Sequence, residues 1–477
     1  MSIREIRSNN PPMAERLGGI AALAPRRERL AIVSTRNKLC GIAAYTQALE
    51  RHLADTYDLR VFDLDQYLLR SRHPRVRTTG DRHIKDICRE IAGFDAVNLQ
   101  LEYGTLGSSA NDIYRRLSWL VNAAPRLSVT FHTLVRPPVF PIAEFVKAIL
   151  TLKWRSAGEM TAAFSRNRKL SLEIPKLLRR VQRRKPLSAI VHNRRDLAEA
   201  SHLHGFGQVF DHPLSFLSQD EINAVRSQAT RSRFTLLDTL PADAILIGAF
   251  GFLNDYKGFG TAVRALHHLS DNHHLLIFGG THPNEIPAQK AIHPYVASLL
   301  DAANVDSTVY DQLRGATGLG LTLDIERHLV ELFGAHPRDL SSRLHFMGAL
   351  DDADFLAGMA ICDVVVFPYL EVGQSASGPI AQAVELGCRI VASRTHSFLQ
   401  FAAYHPETIE FFDIGNHLEL AKRIGARRQY AARHEQLRYD IESNKVIYLA
   451  ANSPANSGSR FRRRQSGATR QAVRAER

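Results

Sequence analysis

Cysteine is scarce and scattered in this sequence. The four that 477 residues contain, Cys40, Cys88, Cys362 and Cys388, form no CxxC pair or tight cluster. That argues against a disulfide framework or a cysteine zinc site and leaves reduced, mostly structural thiols. Long apolar runs are lacking too, since none reaches the roughly 18 to 20 residues that cross a bilayer. The opening MSIREIRSNNPPMAERLGG has no apolar middle of the secretory kind. Together these absences predict a cytosolic protein. No internal repeat of roughly 20 to 50 residues is found, which argues against a solenoid or propeller.

What is present is the balance of a globular chain, with 45% hydrophobic and 23% charged residues. The length exceeds one ordinary core and favours two domains. A formal net charge of +13 favours an anionic partner. Nucleotide diphosphates, phospholipid headgroups and nucleic acid all fit that sign, but no nucleic-acid motif accompanies the charge, so no nucleic-acid partner is expected.

Short apolar runs recur with enough chain between them for helices. Leu30–Ser34, Leu59–Phe62, Ala96–Leu101, Leu127–Phe131 and Ala189–Val191 form one series, with a helix expected from Tyr45 to Leu53. Ala244–Phe250, His274–Phe278, Leu344–Phe346, Val364–Phe367 and Arg389–Ala392 form a second. Repeated β then α predicts a parallel sheet, here twice. A linker is expected near 211–216, at Asp211-His-Pro213. Past Asn452 the chain turns to Asn, Ser, Gly and Arg, and a disordered basic tail is expected.

The segment that carries most chemistry is Pro368-Tyr-Leu-Glu-Val-Gly-Gln-Ser-Ala-Ser-Gly-Pro-Ile-Ala-Gln382. It reads as strand, small-residue loop and helix start. Ser375, Ala376, Ser377 and Gly378 let a ligand approach the backbone, and a helix N-terminus favours phosphate. The plain alternative is a βα turn capped by Ser377 with Pro379 at the first helical position.

Val364 to Ala392, with Gly251-Phe-Leu-Asn-Asp-Tyr-Lys-Gly258, Leu275 to His282 and Cys40-Gly-Ile-Ala43, resembles the retaining glycosyltransferases of family 4. The resemblance spans Leu30 to Arg423. It implies the GT-B fold, an α/β architecture of two Rossmann-like domains whose parallel sheets face one another across a cleft. It also implies transfer of a hexose from a nucleoside-diphosphate sugar to a glycan or lipid-linked acceptor, with no cofactor and no metal required. In the family, two glutamates eight positions apart precede a glycine that ends the helix; the matching positions here are Gln374 and Gln382, ahead of Gly387. Glutamine keeps the hydrogen-bonding capacity but not the charge. Glu371 and Glu385 stand three residues from those positions as substitute carboxylates. Lys257 matches the family's diphosphate-binding lysine, whereas Phe252 stands where an arginine is frequent. Gly41 lies in the expected loop after the first strand, on the donor side.

His132 follows the strand Leu127–Phe131 and should face the ligand crevice, where it resembles the family's cleft histidine. The assignments are therefore His132 and Gln374 as catalytic; Gly41, Lys257, Ser375, Ala376, Ser377, Gly378 and Gln382 as donor-binding; and Gln100, Glu102 and Tyr103 as either holding the acceptor or simply packing the interface. Glycines at 279, 280 and 348 line the nucleotide side or serve turns. Lys153 to Lys185, rich in Lys and Arg with leucines between, is expected either on an anionic membrane at the inner face or as a solvated helix face. The domains are an N-terminal extension (1–28), an acceptor domain (29–212), a nucleotide-sugar domain (213–425), a helix crossing back to the first domain (426–452) and the tail (453–477). Two rivals stay open: a non-catalytic nucleotide-sugar-binding partner subunit, and a different enzyme on the same fold, such as an epimerase or a phosphorylase.

Overall fold

A computed structural model of the chain describes residues 27–36, 40–280, 294–303, 339–426 and 437–453. Most of the N-terminal extension, His282 and the basic tail from 454 onward lie outside the described residues. So do residues 427–436 of the expected C-terminal crossing segment. The chain divides into two compact units, one within 1–38, 46–212 and 442–477, the other within 39–45 and 213–441.

The first unit holds a six-stranded sheet built from β1 (Arg29–Ser34), β2 (Asp58–Asp63), β3 (Ala96–Leu101), β4 (Leu127–Phe131), β5 (Leu187–Val191) and β6 (Val209–Asp211). Its strand order is β2-β1-β3-β4-β5-β6, and every pairing is parallel. The second unit repeats the plan with β7 (Ile245–Phe250), β8 (His273–Phe278), β9 (Leu344–Gly348), β10 (Val364–Phe367), β11 (Ile390–Ser393) and β12 (Ile409–Phe412). There the order is β12-β11-β10-β7-β8-β9, again with parallel pairings. In both sheets the order reverses direction once, between β1 and β3 and between β7 and β10. Such a reversal leaves a crevice at the carboxyl ends of the two strands, where open α/β sheets bind ligands.

The central strands are buried on both faces, and β10 accordingly reads as a continuous apolar run, Val364-Val-Val-Phe367. The strands that the sequence pattern misses, β6 and β12, are edge strands. β6 is three residues long and falls partly on the expected linker, and β12 carries Glu410 within Ile-Glu-Phe-Phe. One buried face and polar interruptions weaken the signal at an edge.

One face of the first sheet carries a polar stripe. Asn98 and Gln100 on β3 stand in register with Ser128 and Thr130 on β4, and period-two alternation points all four the same way. All are buried. The helix Ile441–Asn452 supplies their partners: Tyr448 Oη accepts from Gln100 Nε2 at 3.1 Å and lies 3.0 Å from Thr130 Oγ1, and Ser128 Oγ donates to Asn452 Oδ1 at 2.8 Å. The last described helix is thereby tied to the first sheet, although the chain reaches it from the second unit. Burying these groups without partners would cost about 1 to 3 kcal/mol each, so the stripe specifies where that helix docks.

Candidate functional site

In the second unit the loops that leave β7 and β10 lie side by side at the strand-order reversal. Leu370 N donates to Tyr256 O at 2.7 Å and fastens one loop to the other. Gly258 closes the first loop at φ 63°, and a Cβ there would sit 2.0 Å from Pro368 O, so only glycine fits. Gly251, at φ 129°, is as constrained: its missing Cβ leaves room for the Lys257 side chain, whose Cε would otherwise lie 2.9 Å away.

Lys257 is the centre of this arrangement. It ends the short helical turn Asp255–Lys257 and is only 5% exposed. Its Nζ donates to Tyr369 Oη and lies 4.0 Å from the Tyr369 ring centroid and 5.0 Å from that of Tyr256. The two rings meet edge to face at 5.8 Å. Among the described residues no carboxylate forms an ion pair with Lys257. Burial pushes its pKa down to about 7, because an aromatic cradle offsets only part of the lost hydration. Burial likewise pushes the Tyr369 phenol up, so it stays neutral and hydrogen-bonding.

Ser375 and Ser377 are buried in the second loop, and Ala376 and Gly378 are half-buried beside them. Ser377 precedes the helix Gly378–Glu385 but makes no side-chain cap; its hydroxyl donates instead to Tyr369 Oη at 3.5 Å. Pro379 occupies the second helical position, one later than the sequence pattern suggests. Lys257, Tyr369 and Ser377 therefore form one contiguous polar group at the start of this helix. Tyr369 escaped the sequence reading: nothing links positions 257 and 369 before the strands pair. The only signal was an aromatic residue directly after Pro368 at a strand end.

Gln374 and Gln382 are half-exposed, Gln374 in the loop and Gln382 on the helix Gly378–Glu385. The nearby carboxylates are engaged elsewhere. Glu371 accepts from the backbone N–H groups of Gly373 (2.9 Å) and His396 (2.7 Å). Glu385 is buried, and its Oε1 accepts from Ser215 Oγ (2.6 Å) and Phe216 N (2.7 Å). Burial pushes the Glu385 pKa up to about 8. Both hold backbone in place. Gly279 is a structural requirement, since a Cβ there would lie 1.8 Å from Gly251 O.

Gly41, which falls with residues 39–45 in the second unit, is not in a loop. It opens the helix Gly41–Leu53, because Cys40 Sγ accepts from Ala43 N at 3.4 Å and starts the helix earlier than the apolar pattern does. Gly41 is exposed, and a Cβ there would meet nothing within 4 Å. His132 extends from β4 and donates through Nε2 to Gln100 Oε1 at 2.8 Å. Gln100 spends its amide on the polar stripe, donating to Asn98 Oδ1 at 2.6 Å and to Tyr448 Oη. A carbonyl oxygen only accepts, so neutral His132 carries its proton on Nε2 and keeps Nδ1 as the acceptor. Burial and the His192 ring at 5.3 Å hold its pKa well below the usual histidine range.

The three acceptor-side residues occupy different settings. Gln100 is a positioning residue for His132, with its side chain fully engaged. Tyr103 is part of the apolar core. Glu102 is half-exposed, accepts from Thr133 Oγ1 at 2.9 Å, and has its pKa raised by burial. A separate hollow at the opposite, N-terminal edge of the second sheet, lined by Ile245, His273, Asp363, Arg389 and Lys422, contains none of these residues. Among the described residues no group of three His, Cys, Asp or Glu side chains is arranged to hold a metal ion.

No family model matches the sequence, and no curated protein is significantly similar to it. Solved structures are similar in fold. A sucrose-phosphate synthase from Thermosynechococcus elongatus superposes with a TM-score of 0.50 at 15% identity, covering 94% of this chain and 100% of its own. A UDP-forming α,α-trehalose-phosphate synthase from Burkholderia xenovorans gives 0.53 at 13% identity, covering 90% and 100%. With its two parallel six-stranded sheets, each reversing strand order once, the chain has the two-domain Rossmann-like GT-B fold of these synthases.

Proposed function

We propose that this protein is a retaining, family-4-like hexosyltransferase that moves a sugar from a nucleoside diphosphate to a glycan or lipid-linked acceptor, in polysaccharide or glycoconjugate biosynthesis. The observation that carries the reading is Lys257, a buried lysine that pairs with no carboxylate among the described residues, set at the strand-order reversal beside the Ser375–Gly378 helix start. A lysine in that setting gains most from a bound dianion, and the helix N-terminus adds N–H donors. One neighbour of the same fold is named for forming UDP, which supports a nucleoside diphosphate as the leaving group.

In the reaction the bond from the anomeric carbon to the phosphate oxygen breaks as the bond to the acceptor oxygen forms on the same face. The acceptor's proton passes to the departing phosphate, so no separate base is needed, and the residues named here call for no metal. Lys257 and the helix start stabilise the charge that grows on the leaving group. Gln374 and Gln382 contact sugar and ribose hydroxyls, and His132 orients the sugar or acceptor.

The neutral Gln374 and Gln382 also favour a second reading, a nucleotide-sugar-binding partner subunit without turnover. A screen of nucleotide sugars by thermal shift, coupled to release of nucleoside diphosphate with crude lipid acceptor, separates the two. The transferase reading expects stabilisation by one donor and acceptor-dependent release that Lys257→Ala and Gln374→Ala abolish. Stabilisation without release under every acceptor leaves the binding subunit, and no stabilisation by any donor removes both.

A further inference from the structure

The crossover that leaves β4 after His132 ends in a surface that the transferase reading does not use. Of the fourteen large hydrophobic side chains exposed among the described residues, six fall within 139–154: Val139, Ile142, Val146, Leu150, Leu152 and Trp154. Leu150 is 78% exposed and Trp154 62%. Ile142, Val146 and Leu150 recur every fourth residue along the helix Ile142–Leu150, which places them on one side of it. The other side is already satisfied. Phe145 packs edge to face on Phe140 at 5.1 Å, Phe140 does the same on Phe164 of the helix Trp154–Arg168 at 5.0 Å, and Ala148 is buried. The pair of helices thus has its own small aromatic core and a second apolar face turned outward.

Charge flanks that face. Lys147, Lys153, Arg155, Arg166 and Arg168 are all exposed, against Glu144 and Glu159. The basic stretch picked out by sequence, 153–185, is divided by the fold. Leu170, Ile174, Leu177, Leu178 and Val181 from its later part belong to the core. The usable surface is therefore shifted toward the N-terminus, to 139–168. No helix among the described residues is long and apolar enough to cross a membrane, and nine residues cannot span one, so this pair of helices would lie on a bilayer.

We propose that residues 139–168 form a membrane-docking surface that seats on an anionic phospholipid bilayer. Ile142, Val146, Leu150 and Trp154 enter the headgroup boundary while the lysines and arginines meet the phosphates. Trp suits that boundary, being apolar with one polar N–H. Charge argues against a second copy as the occupant: a two-fold contact brings the patch against itself and sets these same cations opposite one another. The short Thr133–Pro138 connector joins the surface to His132, which would bring a lipid-borne acceptor toward that residue.

The test is flotation of the full chain with vesicles of phosphatidylcholine alone or with phosphatidylglycerol added, following Trp154 emission. Binding to the anionic vesicles only, with a blue shift in emission, is expected. Ile142→Ser/Leu150→Ser/Trp154→Ser should weaken it about tenfold or more, and Lys147→Glu/Lys153→Glu by roughly fivefold or more for each cation lost. These side chains are exposed, so unchanged thermal unfolding checks that the variants fold. Donor-induced thermal shift, read on the same variants, should be retained, so that loss of vesicle binding alone is distinguishable from failure of the transferase reading. Equal binding by wild type and variants, no binding to anionic vesicles, or self-association without lipid that the serine variant abolishes would each overturn the proposal.

Discussion

Each of the two units buries polar side chains in or just after its central strands, and the two use them in opposite ways. In the first, Gln100 and the residues around it satisfy one another: His132, Gln100, Asn98, Thr130 and Tyr448 form a connected network that ends on the last helix. In the second, Lys257 is buried with a phenol and two aromatic faces and, among the described residues, pairs with no carboxylate. The first arrangement is complete without a ligand and holds an imidazole in one tautomer. The second is costly until an anion arrives. The difference shows where binding free energy should be found, and each variant below is chosen to break or sharpen it.

The largest effect is expected from Lys257→Met, which keeps the stem of the side chain and removes the charge. Release of nucleoside diphosphate should fall on the order of 100- to 1000-fold, as when one electrostatic contact to a developing charge is lost. Unfolding of the donor-free protein should be unchanged or shifted upward, because a desolvated amine has been removed. Retained turnover would show that the second unit does not depend on its buried cation.

Next is pH. With the folded Lys257 pKa lowered to about 7 against an ordinary 10.5, the unfolded chain binds more protons between those values. The stability contributed by this group therefore rises with pH across that window. A bound diphosphate restores the charged form, so donor binding should take up about one proton at pH 8 and weaken by up to about tenfold per pH unit above 7. Titration calorimetry in two buffers of different ionisation enthalpy measures the uptake, and Lys257→Met should abolish it.

In the first unit, Gln100→Leu leaves His132, Asn98 and Tyr448 facing an apolar side chain. A loss of about 1 to 3 kcal/mol in denaturant unfolding is expected, with donor affinity unaltered. Tyr448→Phe should cost about 1 kcal/mol and lower turnover more than it changes the donor KM. A donor affinity that falls with either variant would contradict the division between the units.

The smallest effect is expected at Glu385. Its folded pKa is raised to about 8 from an ordinary 4.5, so the folded state binds more protons and its stability contribution falls as pH rises through that window, by at most about 1.4 kcal/mol per unit. Glu385→Gln mimics the protonated form. It should cost under about 1 kcal/mol at pH 7 and flatten that slope, read by thermal unfolding at pH 5 and pH 8.

The legible part of the site was local. Val364–Phe367 followed by a small-residue loop and Pro379 announced a strand, a turn and a helix, and the structure shows all three. Asn98-Leu-Gln100 and Ser128-Val-Thr130 alternate polar with apolar, a pattern that by itself reads as a half-buried strand, and only the structure shows the polar side covered. Their partners did not show, because Tyr448 lies 348 residues from Gln100. Glu385 read as a substitute carboxylate because sequence proximity to Gln382 cannot reveal that Ser215 and Phe216 already occupy it. Tyr103 could be read either as an acceptor contact or as packing, because an aromatic residue after a strand looks the same whether it faces a crevice or the core.

Sequence by itself determined that there would be two series of buried parallel strands, because apolar runs of that length can only be satisfied with helices on both faces. Tertiary structure alone decided strand order, and with it the reversal between β7 and β10 that brings Lys257 to Tyr369 and Ser377. Many crossovers satisfy the same local pattern, and the choice among them rests on contacts between residues far apart in the chain.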